Sequence, residues 1–162
     1  MKIKHWSTVF AAIFFMITTI LVSNKIIEIH FFLGIIISIA TIYYGHLKYK
    51  IEDDKMFKEL FDDFNKRYDD KFNDLINEIR DGYISELTRE QKNKIIDYFN
   101  LCAEEFLWYK KGRIPFDVWS AWKSGMIANI QIPLVYRIYK LEISNTNILI
   151  SYYELITELE IK

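Results

Sequence analysis

No histidine follows His46 in this chain of 162 residues. The commonest general base and metal ligand is therefore missing from the last two thirds of the protein. Asp, Glu, Lys and Tyr remain as acids and bases, but the balance is against an enzyme. Cysteine occurs once, at Cys102, which excludes an intrachain disulfide and fits a reducing compartment. Full charge is missing between Lys4 and Lys25, and again between Glu28 and Lys48, where only His30, His46 and a few tyrosines can ionise. Proline and glycine are missing from Glu52 to Arg80, so nothing there interrupts a helix. Phosphate-binding glycine loops, paired cysteine ligands, nucleophile elbows and Glu/His metal helices do not occur. No cofactor and no metal are expected.

What is present begins with two uncharged runs. At ~1.5 Å rise per residue, about 20 residues reach roughly 30 Å as a helix, the thickness of a bilayer's hydrocarbon. Two transmembrane helices are expected, about 6–23 and 29–46, joined by a tight turn at Asn24-Lys25 and so antiparallel. A cleaved secretory signal fits less well. Leu21-Val22-Ser23 is not a clean small-x-small site, and a second apolar span follows at once. Lys2 and Lys4 precede the first span and Lys48 and Lys50 follow the second, while the turn has Lys25 offset by Glu28. Cationic flanks favour the cytoplasm, so both termini are expected inside the inner membrane of a bacterium. Trp6, Tyr43, Tyr44 and Tyr49 would anchor the cytoplasmic interface. His30, near the outer end, is expected among the headgroups; buried within the membrane it would instead mark a functional site.

Gly34, Ser38, Thr41 and Gly45 recur at intervals of four, three and four, which places small residues along one face of the second span. Small faces let helices approach closely in lipid, where the hydrophobic effect does not drive association. Two readings are open. The face packs against Thr8, Ala11, Ala12 and Thr19 of the first span, or it joins hairpins from several copies.

Residues 1–50 hold five Lys against one Glu, whereas 51–162 hold 16 Lys and Arg against 21 Asp and Glu. An acidic domain is a poor partner for nucleic acid, whose binding rests on neutralising phosphates. Residues 51–162 read as one cytosolic helical domain, which makes the chain all-α: a membrane hairpin, a long helix and a small bundle. Apolar residues at Phe57, Phe61, Phe64, Tyr68, Phe72, Leu75 and Ile79 repeat every eleven residues, close to a straight helical stripe. Asp81-Gly82 should end that helix. Thr88 and Gln91 have capping-box spacing for the next. Ile95, Phe99, Cys102, Phe106 and Tyr109 form its apolar face, and Gly112 stops it. Pro115 and Asp117 suit a following helix that carries Trp119, Trp122 and Met126 and ends near 125–128. Pro133 opens a short helix, 144–147 make a turn, and 149–160 close the domain, with Ile148–Ile150 equally readable as a strand.

Glu104 and Glu105 point about 100° apart on a helix, so they cannot share a substrate; with Asp97 they are expected on a solvated face. Lys110, Lys111 and Arg113 form a basic cluster at a helix end, suited to the helix dipole or to an anionic contact. Trp119 and Trp122 are expected in the core, and Cys102 as an inert buried thiol.

The run from Tyr98 through Cys102, Glu104, Glu105, Lys110, Lys111, Gly112, Arg113 and Ile114 to Trp119, Trp122 and Met126 resembles a family of bacterial domains of unknown function. Its members often carry one or two N-terminal membrane helices. The match is a packing signature of Phe99, Phe106, Trp119 and Trp122, and it implies no active residues. The layout is also similar to two-span membrane effectors of phage-defence systems, an analogy of architecture. The expected protein is therefore non-enzymatic, with lipid and a protein partner or its own copy as partners. The alternatives are a membrane-tethered scaffold, and a small-ligand or anion receptor or enzyme using the Lys110–Arg113 region.

Overall fold

A computed structural model describes residues 4–24, 28–144 and 152–161. The chain divides into two compact units, Met1–Glu52 and Asp53–Lys162. Every regular element among the described residues is helical.

In the first unit, α1 spans Lys4–Ser23 and α2 opens at Ile29. Asn24 closes α1 by donating its amide to the Ile20 carbonyl. Among the described residues one helix, Ile29–Arg80, is long and apolar enough to cross a membrane, and the described apolar part of α1, Ala12–Leu21, is shorter. The side chain of Trp6 and the turn residue Lys25 lie outside what is described. Large apolar side chains of this unit face outward: Phe15, Met16 and Ile17 on α1, and Ile35, Ile37, Ile39 and Ile42 on α2 are all exposed. At ~100° per residue, positions 35, 39 and 42 fall within about 60° of one another and position 37 on the opposite side, so α2 exposes large apolar residues on two opposed faces.

α2 runs to Tyr68, is followed by a π-helical turn at Asp69–Asn73, and passes into α3, Asp74–Arg80. The expected uninterrupted α-helix over 52–80 is corrected here. Phe64, Tyr68, Phe72 and Ile76 are spaced by four, which outruns the 3.6-residue turn and would drift off the core face. A wider π turn takes back that drift, and Phe64, Phe72 and Ile76 all end up buried. Ile76 was not in the expected stripe, whereas Phe61 lies at the surface.

The two glycine stops share one geometry. Gly82 and Gly112 sit at φ +80° and +70°. After α3, Tyr83 N donates to Glu78 O and Gly82 N to Ile79 O; after α4, Arg113 N donates to Trp108 O and Gly112 N to Tyr109 O. These paired bonds satisfy the last carbonyls and demand a left-handed residue. α4, Arg89–Lys110, starts with the expected capping box: Thr88 Oγ1 accepts from Gln91 N at 3.2 Å, and Gln91 Oε1 accepts from Thr88 N at 2.9 Å. α5 covers Phe116–Ile130, a few residues beyond the expected end, and α6 covers Pro133–Ile143 with Pro133 at its first position. Among the described residues the closing helix α7 is Leu155–Leu159, so the expected helix over 149–160 is interrupted at 152–154. Tyr153 and Glu154 hold positive φ values of 51° and 72°, which breaks the helix on its N-terminal side. Residues 145–151, including the Ile148–Ile150 segment, lie outside the described part.

α4 is the hub of this unit, packed against the π turn, α5, α6 and α7. Its buried face includes Ile95, Tyr98, Phe99, Cys102 and Phe106, and the core continues through Trp119, Met126 and Ile130 of α5 to Val135 and Tyr139 of α6.

Candidate functional site

On α2, Gly34, Ser38, Thr41 and Gly45 are all exposed, and a Cβ built on Gly34 or Gly45 meets nothing within 4 Å. The half-buried face of this stretch is instead Phe32, Ile36 and Ala40. Phe32 meets Phe15 of α1, ring centroids 6.4 Å apart. Of the expected packing partners on α1, Ala12 and Thr19 are exposed as well, and the side chains of Thr8 and Ala11 lie outside what is described. Ser38 Oγ donates to Gly34 O and Thr41 Oγ1 to Ile37 O, each at 2.8 Å. Bonded back onto their own helix, these hydroxyls place no unsatisfied donor on the face. His30 lies beside Glu28, Nε2 to Oε2 3.0 Å, both exposed.

The cations of the Lys110–Arg113 region go to three different partners. Lys110 Nζ donates to Glu154 Oε2 at 2.7 Å. Lys111 Nζ lies 4.6 Å from the centre of the Trp108 ring. Arg113 Nη1 donates to Asp53 Oδ1 at 2.6 Å. An open depression of ≈ 690 Å³ does lie beside Lys110, but Glu154, Glu158 and Glu160 line it. Its acidic character suits no anion, and Lys110 draws the Glu154 carboxyl below its ordinary pKa through their hydrogen bond.

The aromatic signature splits in two. Phe99, Phe106 and Trp119 are core residues: Phe99 stands edge-on to Tyr139 at 6.0 Å, and Trp119 packs on Phe106 at 5.2 Å and Tyr109 at 5.1 Å. Trp122 is only half-buried, stacked on Phe61 at 5.7 Å with Phe64 edge-on at 5.9 Å. Cys102 is fully enclosed, and burial pushes its thiol well above the ordinary range.

Between these groups lies a cluster that no sequence pattern announced. Asn129 of α5, 6% exposed, accepts at Oδ1 from Arg80 Nη2 at 2.6 Å. Its Nδ2 donates to Tyr98 Oη at 3.1 Å and to Tyr68 Oη at 3.2 Å. One carboxamide thus ties α2, α3, α4 and α5 together. Arg80 is further held by Asn77 Oδ1 at 2.7 Å. The cluster opens on a cavity of ≈ 350 Å³ whose lining also includes Phe64, Glu105, Trp122, Gly125 and Met126.

Glu105 overturns the solvated-face expectation. Only 8% of it is exposed, and it makes no hydrogen bond or ion pair among the described residues. Burial pushes its carboxyl up to about 8, against a lowering effect from Arg67; Glu104 pushes the same way as burial. Its neighbour Glu104 points elsewhere, to Arg67 Nη2 at 2.9 Å. The two carboxylates diverge as adjacent helical positions must, but one of them diverges inward. A lone Glu on the apolar side of α4, one residue from Phe106, was the available signal. Among the described residues no group of three or more His, Cys, Asp and Glu side chains gathers to hold a metal ion.

No family model matches this chain, and neither the curated proteins nor the solved structures compared with it include a match.

Proposed function

We propose that this is a non-enzymatic protein of the bacterial inner membrane, with two antiparallel spans at about 6–23 and 29–46 and both termini in the cytoplasm. Its helical domain binds a protein partner or a second copy of itself. The observation that carries the reading is the contrast between the two units. Asp53–Lys162 encloses its own apolar core, whereas Met1–Glu52 leaves Phe31, Ile35, Ile37, Ile39 and Ile42 of α2 and Phe14, Phe15, Met16 and Ile17 of α1 exposed. Keeping each such side chain in water rather than in an apolar medium costs about 1.5–3 kcal/mol, so lipid is the solvent these faces suit. The divided basic cluster supports interaction over catalysis, because each cation already has a structural partner.

A membrane-perturbing effector, of the kind found in phage-defence systems, is the second reading. The small-residue face at Gly34, Ser38, Thr41 and Gly45 favours it, being exposed and free of unsatisfied hydroxyl donors. In this version a partner holds copies apart, and release lets hairpins associate through that face. Induction of the full chain with a potential-sensitive dye decides between the two. Collapse of the membrane potential supports the effector. Unchanged potential and growth at good expression leave the tethered interaction protein.

A further inference from the structure

The cavity beside Asn129 has two chemically different ends. Tyr98 and Glu105 are seven residues apart on α4, two turns or ~10 Å along the axis. Trp122 and Asn129 are likewise seven apart on α5. Asn129 bonds to Tyr98 and Tyr68 and receives Arg80, which fixes one end as a cationic, donor-rich pole. Phe64 meets Trp122 a turn away from Tyr68, and Glu105 lies at this second end. Arg80 and Glu105 line the same cavity but form no ion pair with each other. Arg80 spends two hydrogen bonds on Asn77 and Asn129, and a guanidinium has five donors. Glu105 lines the cavity with 8% of its surface exposed; its carboxylate accepts no hydrogen bond among the described residues and its oxygens are open to the cavity.

We propose that the cavity binds a small ω-amino carboxylate, its ammonium on Glu105, its carboxylate on Arg80 and its methylene stem along Trp122 and Met126. A space of ≈ 350 Å³ holds about twelve waters at ~30 Å³ each, room for a chain of about five or six carbons with both end groups. The aromatic wall at Trp122 and Phe64 favours a cation at that end. α-Amino groups are excluded as the pair of anchors, because both charges then sit on one carbon while the poles are about two helical turns apart at the backbone.

Binding requires Glu105 to ionise. The charges acting on it are Arg67 of α2, itself held by Glu104 and Asp63, and Glu104 of α4, while Arg80 of α3 lines the far pole. The Tyr98 hydroxyl of α4 and the Tyr68 hydroxyl of α2 belong to that far pole with Asn129. α5 brings Asn129 and no charge, its Lys123 being paired with Glu158 at 2.8 Å. Because the Glu105 carboxyl titrates near 8 when empty, uptake of an ammonium near pH 7 releases a proton.

The test is calorimetry on the full chain in detergent micelles, with the series from 4-aminobutanoate to 8-aminooctanoate as probes and hexylamine and hexanoate as one-ended controls. The expected result is binding that peaks within the series and exceeds both controls by at least tenfold. Its apparent enthalpy should differ between Hepes and Tris in the sense of proton release. Glu105→Gln should weaken the best probe at least tenfold. Gly125→Leu serves as a plug, since a Cβ at Gly125 meets nothing within 4 Å, and it should abolish binding in a folded protein. No binding across the series, hexylamine binding as well as the zwitterions, or Glu105→Gln binding unchanged would each overturn the proposal.

Discussion

The Asn129 carboxamide stands 3.1 Å from the Tyr98 hydroxyl, both of them buried, and the same carboxamide takes Arg80 at 2.6 Å. Four helical segments meet at this one side chain. Burial holds the Tyr98 hydroxyl well above its ordinary pKa, so it stays a neutral partner across the accessible pH range. Replacing Asn129 with Ala would leave a charged donor and a buried hydroxyl unmatched, which costs about 3 kcal/mol. Urea unfolding of the full chain in micelles should show this loss, with Tyr98→Phe costing about 1 kcal/mol. A shift below ~0.5 kcal/mol for Asn129→Ala would mean that water replaces the network without loss.

Glu105 makes stability depend on pH in an unusual direction. Its carboxyl is raised from 4.5 to about 8 in the folded chain, so between these values the folded state holds a proton that the unfolded state has lost. Stability therefore falls as pH rises from about 4.5 to about 8 and levels off above. Glu105→Gln removes the effect. It should match the parent near pH 4 and exceed it by up to about 3 kcal/mol at pH 7. Thermal melts at the two pH values check this, and a variant less stable than the parent at both would contradict it.

The exposed face of α2 predicts contact between copies. Ser38→Cys places a thiol on that face, and Cys102 is enclosed with its thiol pushed up by burial, so the new thiol is the reactive one. Mild oxidation in membranes should give a disulfide-linked dimer, which requires Cα atoms to approach within about 7 Å. Adding Gly34→Ile should reduce the crosslink severalfold without disturbing the first unit, since a Cβ at Gly34 meets nothing within 4 Å. Equal crosslinking from Ile37→Cys would show random encounter and remove the shared face.

Much of the bundle was legible because its signals are local. Thr88 and Gln91 cap α4, Gly82 and Gly112 take the left-handed conformation after two helices, and Pro133 opens α6; each follows from backbone geometry that one or two residues control. The π turn at 69–73 was legible only in part. The 64, 68, 72, 76 spacing was present, but an eleven-residue repeat through Leu75 and Ile79 fits the same stretch without a bulge. The polar cavity was not legible at all. Asn129 and Arg80 are 49 residues apart, and no periodicity links them. Glu105 was misplaced because paired acidic residues are usually solvated, which outweighed its place beside Phe106 on the apolar side of α4. The closing helix fell short because Tyr153 and Glu154 adopt positive φ, which their identities do not announce.

The membrane assignment is tested most directly by a dual reporter, alkaline phosphatase and green fluorescent protein, fused after Lys162 of the full chain and expressed in a bacterium. The account predicts fluorescence without phosphatase activity, with the fusion retained in the pellet after an alkaline carbonate wash. Phosphatase activity, or fusion protein released into the wash, would contradict it.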